Sequence, residues 1–168
     1  STDRTVEIVQ RYNDVISDFV CEADSGVYDA MNKGLKLNRS KYFLFLNSDD
    51  YFTNPNVLMR YNNVLKKNTF DVICCNILCV EGDKIRRRWL FEFGKDKFIT
   101  ATRIPHPGCL MKASFVGEVG EFDLKFSVAA DFDLILRCLK QGATVAHIDE
   151  YLVKMEVGGL SDRGVMGL

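Results

Sequence analysis

Apolar residues follow two rhythms along this chain. Spacings of three and four put them on one face over residues 5–15, 27–37, 55–67 and 131–141, and each stretch predicts an amphipathic helix. Short runs of alternating or continuous apolar residues predict strands at 18–21, 42–46, 70–80, 84–93, 109–112, 144–148 and 151–155. Asn54-Pro55 reads as a helix cap with proline at the first helical position, and Gly142 as a stop signal. Glu81-Gly82-Asp83 joins two strand runs as a hairpin, which adds antiparallel edge strands, and residues 113–119 read as a short helix. This alternation predicts an α/β fold with a mainly parallel sheet between helices. The glycine-rich end, 158–168, is expected to be mobile.

With 168 residues, 47% hydrophobic and 27% charged, the chain fits one domain with a real core. Its net charge of −1 offers no general attraction for nucleic acid. The run Arg86-Arg87-Arg88-Trp89 is basic only locally, and on a strand its side chains alternate between faces; an anionic or lipid-diphosphate acceptor is the open reading for it. No apolar run is long enough to span a bilayer, and the first residues are polar rather than leader-like. The six cysteines lack paired C-x-x-C spacing, and Cys74 and Cys75 would point to opposite faces of a strand, so buried free thiols in a reducing cytoplasm are expected.

The chemistry concentrates after the 42–46 run, in Asn47-Ser48-Asp49-Asp50. Where a strand of an open α/β sheet empties into its crevice, ligands bind, and adjacent carboxylates there can hold a hard cation against phosphates. The same pair also suits a turn or a helix cap. Upstream lies Asp24-Ser25-Gly26-Val27-Tyr28-Asp29-Ala30-Met31-Asn32-Lys33-Gly34. Downstream follow Pro105-His106-Pro107-Gly108, then Gly117-Glu118-Val119-Gly120-Glu121-Phe122-Asp123, Ala130-Asp131-Phe132-Asp133-Leu134 and Gly158-Gly159-Leu160-Ser161. In order and spacing these segments resemble the family 2 glycosyltransferases of the GT-A fold, a Rossmann-like architecture for nucleotide-diphospho-sugar transfer.

The resemblance implies roles. Asn47-Ser48-Asp49 stands where the family has Asp-x-Asp, which makes Asp49 the metal ligand, Asp50 a second ligand or loop brace, and Asn47 a donor contact that keeps an oxygen acceptor without the charge. Asp24 falls at the rim of the nucleotide pocket, with a plain turn as its alternative. Asp131 matches the acidic residue opening the family's late helix and is the candidate general base, against a capping role. Asp133, two residues on, faces elsewhere and is expected to brace the fold. Met31 stands near a position where many relatives carry arginine, Lys33 is a possible electrostatic substitute, and His106 is a loop histidine with an open role.

The implied protein is a cytoplasmic enzyme, soluble or peripheral to a membrane. It moves a sugar from a nucleotide-diphosphate donor to a saccharide or lipid-linked acceptor hydroxyl, with inversion and with Mn²⁺ or Mg²⁺, in polysaccharide or glycoconjugate biosynthesis, and it binds no nucleic acid. A nucleotidyltransferase and a non-catalytic, transferase-like assembly module are the alternatives. Family members begin with a strand, a helix and a second strand ending in an Asp-Gly-Ser-Thr-Asp type loop, whereas Ser1-Thr2-Asp3 falls inside that loop. Residues 1–168 are therefore expected to be one partial GT-A domain, N-terminally truncated by about 30 to 40 residues, or one βαβ unit. Such a chain is expected to self-associate into a homo-oligomer through sheet edges and to be inactive alone.

Overall fold

The computed structural model describes residues 3–158. In chain order the elements are α1 (Thr5–Gln10), α2 (Val27–Leu37), β1 (Tyr42–Phe43), β2 (Asp50–Phe52), α3 (Val57–Leu65), β3 (Val72–Glu81), β4 (Lys84–Trp89), α4 (Lys97–Arg103), β5 (Leu110–Lys112), α5 (Ala113–Val119), α6 (Ala130–Lys140) and β6 (Val145–Glu156). The strands form one sheet in the order β1-β5-β3-β6-β2, with β4 also paired to β3.

The strand β3 is central because its sequence is apolar on both faces. Val72 and Cys74 enter one core with Met31 of α2, Ala101 of α4, Val116 of α5 and Leu134, Ile135 and Cys138 of α6. Ile73, Cys75, Ile77 and Cys79 enter a second core with Val57 and Tyr61 of α3. The period of two thus sends alternate residues to opposite helical layers, and adjacent Cys74 and Cys75 diverge as expected. Five of the described cysteines are buried thiols, whereas Cys21 is exposed, contrary to expectation, because the segment carrying it joins no sheet.

The α/β architecture holds, but the sheet is mixed rather than mainly parallel. Among the described residues, only β3 and β6 pair in parallel. The β3–β4 hairpin turns at Gly82 (φ 55°), and β1–β5, β3–β5 and β2–β6 are antiparallel as well. Chain reversals at Asn47–Asp50 and His106–Cys109 produce short antiparallel strands, and sequence pattern does not show strand direction.

Further expectations shift. The first helix ends at Gln10 and buries no side chain, and residues 18–21 form no strand, with Phe19 and Val20 exposed. Of 42–46, only Tyr42 and Phe43 are in a ladder. A strand exists only by pairing, and among the described residues no strand pairs with 18–21. The two runs at 144–155 are one strand, β6, whose Asp149 and Glu150 bulge out of register opposite Cys75 and Asn76. Buried Asn76 holds that irregularity: its Nδ2 donates to Asp149 (2.9 Å), and its Oδ1 accepts from Phe91 N–H (2.9 Å) and meets His147 Nε2 (2.9 Å). The helix α3 starts at Val57 rather than Pro55, after Asn54 closes a turn on Asn56 N–H (2.9 Å). Helix α4, absent from the sequence reading, is capped by Asp96, whose carboxylate accepts from Ile99 N–H (2.8 Å). Among the described residues, no helix is long and apolar enough to cross a membrane. Residues 159–168, with most of the expected Gly158–Ser161 motif, lie outside the described residues.

Candidate active site

Four aromatic rings form one cluster that includes Phe45 of the 42–46 run. Phe45 packs against His106 (6.1 Å between centroids) and Phe122 (5.7 Å); Phe122 meets His106 (5.9 Å) and stacks on Tyr28 (5.5 Å). Phe122 is positioned by buried Asn32 of α2. The Asn32 amide donates to the Phe122 carbonyl (2.9 Å) and its oxygen accepts the Phe122 N–H (3.0 Å), satisfying both backbone groups of a loop residue. His106 is buried between two buried prolines, and desolvation holds it below the ordinary histidine range while the charge of Asp131 pulls the other way. The neutral ring acts as a wall, and Gly108 explains why the loop fits. Its φ is 75°, and a Cβ there would lie 2.6 Å from Val153 and 3.1 Å from the Cys75 sulfur.

Asp131 reaches this cluster through Tyr28. Its Oδ1 accepts the Tyr28 hydroxyl at 2.9 Å, while Oδ2 has no hydrogen-bond partner among the described residues. The capping role is not the one it plays: the residue at the N-cap is Ala129, in a left-handed conformation (φ 69°), with no side-chain cap. Such a φ is unfavourable for alanine, and it starts the helix where Asp131 meets Tyr28 across 103 residues of sequence. Burial first, then the Asp131 charge, pushes the Tyr28 phenol up to about 12, so it stays a donor. Asp133 does brace: it pairs with Arg137 (2.8 Å), whose guanidinium donates to the carbonyls of Val119, Gly120 and Glu121.

The acidic turn begins two residues beyond Phe45. Asp50 N–H closes it on the Asn47 carbonyl (3.0 Å), and Asp50 Oδ2 accepts the Asn47 N–H (3.0 Å). Asp50 thus spends one oxygen bracing the loop. Its carboxyl is raised above the usual range, chiefly by desolvation and in smaller part by Asp49, against the lowering effect of Asn47. Asp49 is exposed, and its Oδ1 accepts from the Ser48 hydroxyl at 3.3 Å. Two crowded carboxylates, one of them open, suit a cation that takes most of its ligands from phosphate and water. Among the described residues, no group of three or more His, Cys, Asp or Glu forms a complete protein cage.

Asp24 closes a turn, its Oδ1 accepting Gly26 N–H (3.1 Å), ahead of α2. Lys33 is committed to the Ala23 carbonyl (2.8 Å) and to Glu22 and Asp29, and Met31 is in the core. Neither replaces an arginine in a donor pocket. Sequence reading overlooked Tyr28 and Asn32. A polar residue on the buried face of an amphipathic helix was the available signal, because it must find a partner.

A profile of the family described as "Glycosyl transferase family 2" matches residues 1–116. A "PGL/p-HBAD biosynthesis glycosyltransferase" of Mycobacterium bovis is 29% identical over 96% of this chain and 64% of its own length. An uncharacterized glycosyltransferase of Mycobacterium tuberculosis is 32% identical over 69% of this chain and 45% of its own. The chain thus spans less than two thirds of the length of these curated relatives. Among solved structures, Staphylococcus aureus TarS 1–349 in complex with UDP-GlcNAc superposes with a TM-score of 0.75 at 18% identity, over 95% of this chain and 48% of that one. That likeness establishes the shared fold.

Proposed function

Because this chain belongs to glycosyltransferase family 2, we propose that it is the acceptor-activating part of a GT-A enzyme that transfers a sugar, with inversion, from a nucleotide-diphosphate donor to a hydroxyl of a saccharide or lipid-linked acceptor. The observation that carries this reading is Asp131: a half-buried carboxylate held through one oxygen by Tyr28, with the other uncommitted, beside the aromatic cluster.

In the proposed reaction Asp131 Oδ2 takes the acceptor proton as the acceptor oxygen bonds to the anomeric carbon and the bond to the nucleoside diphosphate breaks. Tyr28 holds the carboxylate in one orientation, while Phe45, Phe122 and His106 exclude water beneath it. Asp49, with Asp50 behind it, would hold Mn²⁺ or Mg²⁺, which supplies charge neutralisation for the diphosphate. Asn47 and Asp24, at the two rims, are proposed donor contacts. The UDP-GlcNAc bound by TarS makes a UDP-sugar the first donor to try, and the mycobacterial relatives' names point to glycoconjugate synthesis.

Five buried thiols fit a reducing compartment, so the cytoplasmic side of a membrane is the proposed location. We also read residues 1–168 as one domain, since both described cores share one sheet. Self-association is proposed from β1, whose ladder is with β5 alone among the described residues; a monomer by light scattering would contradict it.

Titration of UDP-GlcNAc with Mn²⁺ against the intact protein tests the site. Metal-dependent affinity should be present and should fall about tenfold or more in Asp49→Ala, as for loss of a charged ligand. Equal metal dependence in both proteins would remove Asp49 from the site, and absence of donor binding and transfer in the intact protein would favour the non-catalytic alternative.

A further inference from the structure

We propose that β4, the following loop to Asp96 and helix α4 form a docking surface for an anionic lipid bilayer. Residues 84–103 hold seven of the chain's 22 Lys and Arg but only two of its 23 Asp and Glu. The remainder of the chain is therefore net acidic, and the positive charge is segregated to one continuous segment. Arg86 pairs with Glu81 and Arg103 with Glu92 (2.8 Å). Arg88, Lys95 and Lys97 have no ion pair among the described residues, whereas Arg87, over the Trp89 ring (4.4 Å), and Lys84 lie on the opposite face of β4 and are not part of the surface.

Apolar side chains stand out between these cations: Phe93 is 62% exposed, Phe98 57%, Leu90 51% and Ile85 45%. They are not loose. Phe93 rests edge-on against buried Phe91 (4.8 Å), and Phe98 against Phe132 of α6 (5.4 Å). Trp89 Nε1 donates to the Arg103 carbonyl (3.2 Å) and Gly94 N–H to the Thr100 hydroxyl (3.0 Å), so strand, loop and helix are tied together. Charge alone on β4 has another use, since arginines and lysines on an edge strand discourage edge-to-edge pairing. That use does not account for two phenylalanines held outward in the loop and helix beyond the strand.

Cations with protruding aromatic and aliphatic side chains match a lipid interface, where anionic headgroups overlie hydrocarbon. The charge favours the headgroups, and burial of the rings favours the boundary below them. Phe98 touches Phe132, the neighbour of Asp131, so a bilayer bound here would lie close to Asp131 and present a lipid-linked acceptor. That last consequence rests on the transferase reading; the docking surface does not.

Co-sedimentation of the intact protein with phosphatidylcholine vesicles, with and without phosphatidylglycerol, tests the proposal. Binding should require phosphatidylglycerol and weaken with salt. Each cation at such a surface is worth about fivefold, so Arg88→Glu with Lys95→Glu should weaken binding by about 25-fold or more. Phe93→Ser should weaken it by about tenfold. Both variants should keep the wild-type circular dichroism spectrum and melting temperature, and Asp131→Asn should bind vesicles as the wild type does, whether or not it transfers sugar. Equal binding to both vesicle types, or variants that bind like the wild type, would overturn the proposal. So would salt-sensitive binding to single-stranded RNA, lost in both variants, without vesicle binding.

Discussion

Replacing Asp131 by asparagine separates chemistry from architecture at the centre of the site. The amide oxygen can still accept the Tyr28 hydroxyl, which now donates to a neutral group instead of a carboxylate. Charge-assisted hydrogen bonds are worth about 1.5 to 3 kcal/mol and neutral ones about 0.5 to 1.5, so this contact loses about 1 kcal/mol. A carboxylate in the first turn of α6 also favours the helix dipole by about 0.3 to 1 kcal/mol, which the amide forfeits. No cap is lost, because Ala129 occupies the N-cap. The stability cost is thus about 1 to 2 kcal/mol, readable by urea denaturation. Loss of a general base lowers transfer by about 10²- to 10⁴-fold, or about 3 to 5.5 kcal/mol on the barrier. Release of UDP in the presence of acceptor, measured beside donor affinity, should therefore show a kcat loss far larger than the stability loss, with donor affinity retained. Tyr28→Phe keeps the stack on Phe122 and removes only the hydroxyl, so kcat should fall by about tenfold with the fold intact. Transfer by Asp131→Asn within about threefold of wild type would refute the assignment of the base, since a general base contributes about 100-fold at least.

Gly108→Ala should destabilise the protein by about 3 kcal/mol or more, because it combines a positive φ with a Cβ 2.6 Å from Val153, and a shallow change in the denaturation midpoint would contradict the packing described. Burial holds both histidines below 6.5, so the folded chain favours their neutral forms; that stability is present above about pH 6.5 and is lost as pH falls, since the unfolded chain takes up protons first. The melting temperature should drop from about pH 7 to pH 5, and His147→Gln, which preserves a polar partner for Asn76, should reduce the slope; a flat profile in the wild type would contradict the burial.

Much of the fold was legible because it is local. Helix α2 matched its predicted span, and α6 came within one residue at each end, since amphipathic spacing and a stop glycine act within a few turns. The strand β3 was readable to within two residues, and its hairpin partner β4 starts at Lys84 as expected but ends at Trp89 rather than at residue 93. The 18–21 and 44–46 segments carry strand-like sequence without a ladder, because β propensity becomes structure only beside a partner. Helix α4 was missed although Asp96 is an ordinary N-cap, its short length giving too few turns for a period to emerge.

For the site, the sequence alone determined the acidic turn, the late acidic helix start and the order of segments that mark the family, all properties of residue type and spacing. Only tertiary structure decided that Tyr28, not a helix N–H, partners Asp131, that Asn32 clamps Phe122, and that His106 packs into the aromatic cluster beside them. Those contacts join residues about 90 or more apart in the two hydrogen-bonded cases, and such pairings are set by how helices cross a sheet. A spacing rule describes neighbours along one element; a carboxylate's partner depends on which elements the core brings together.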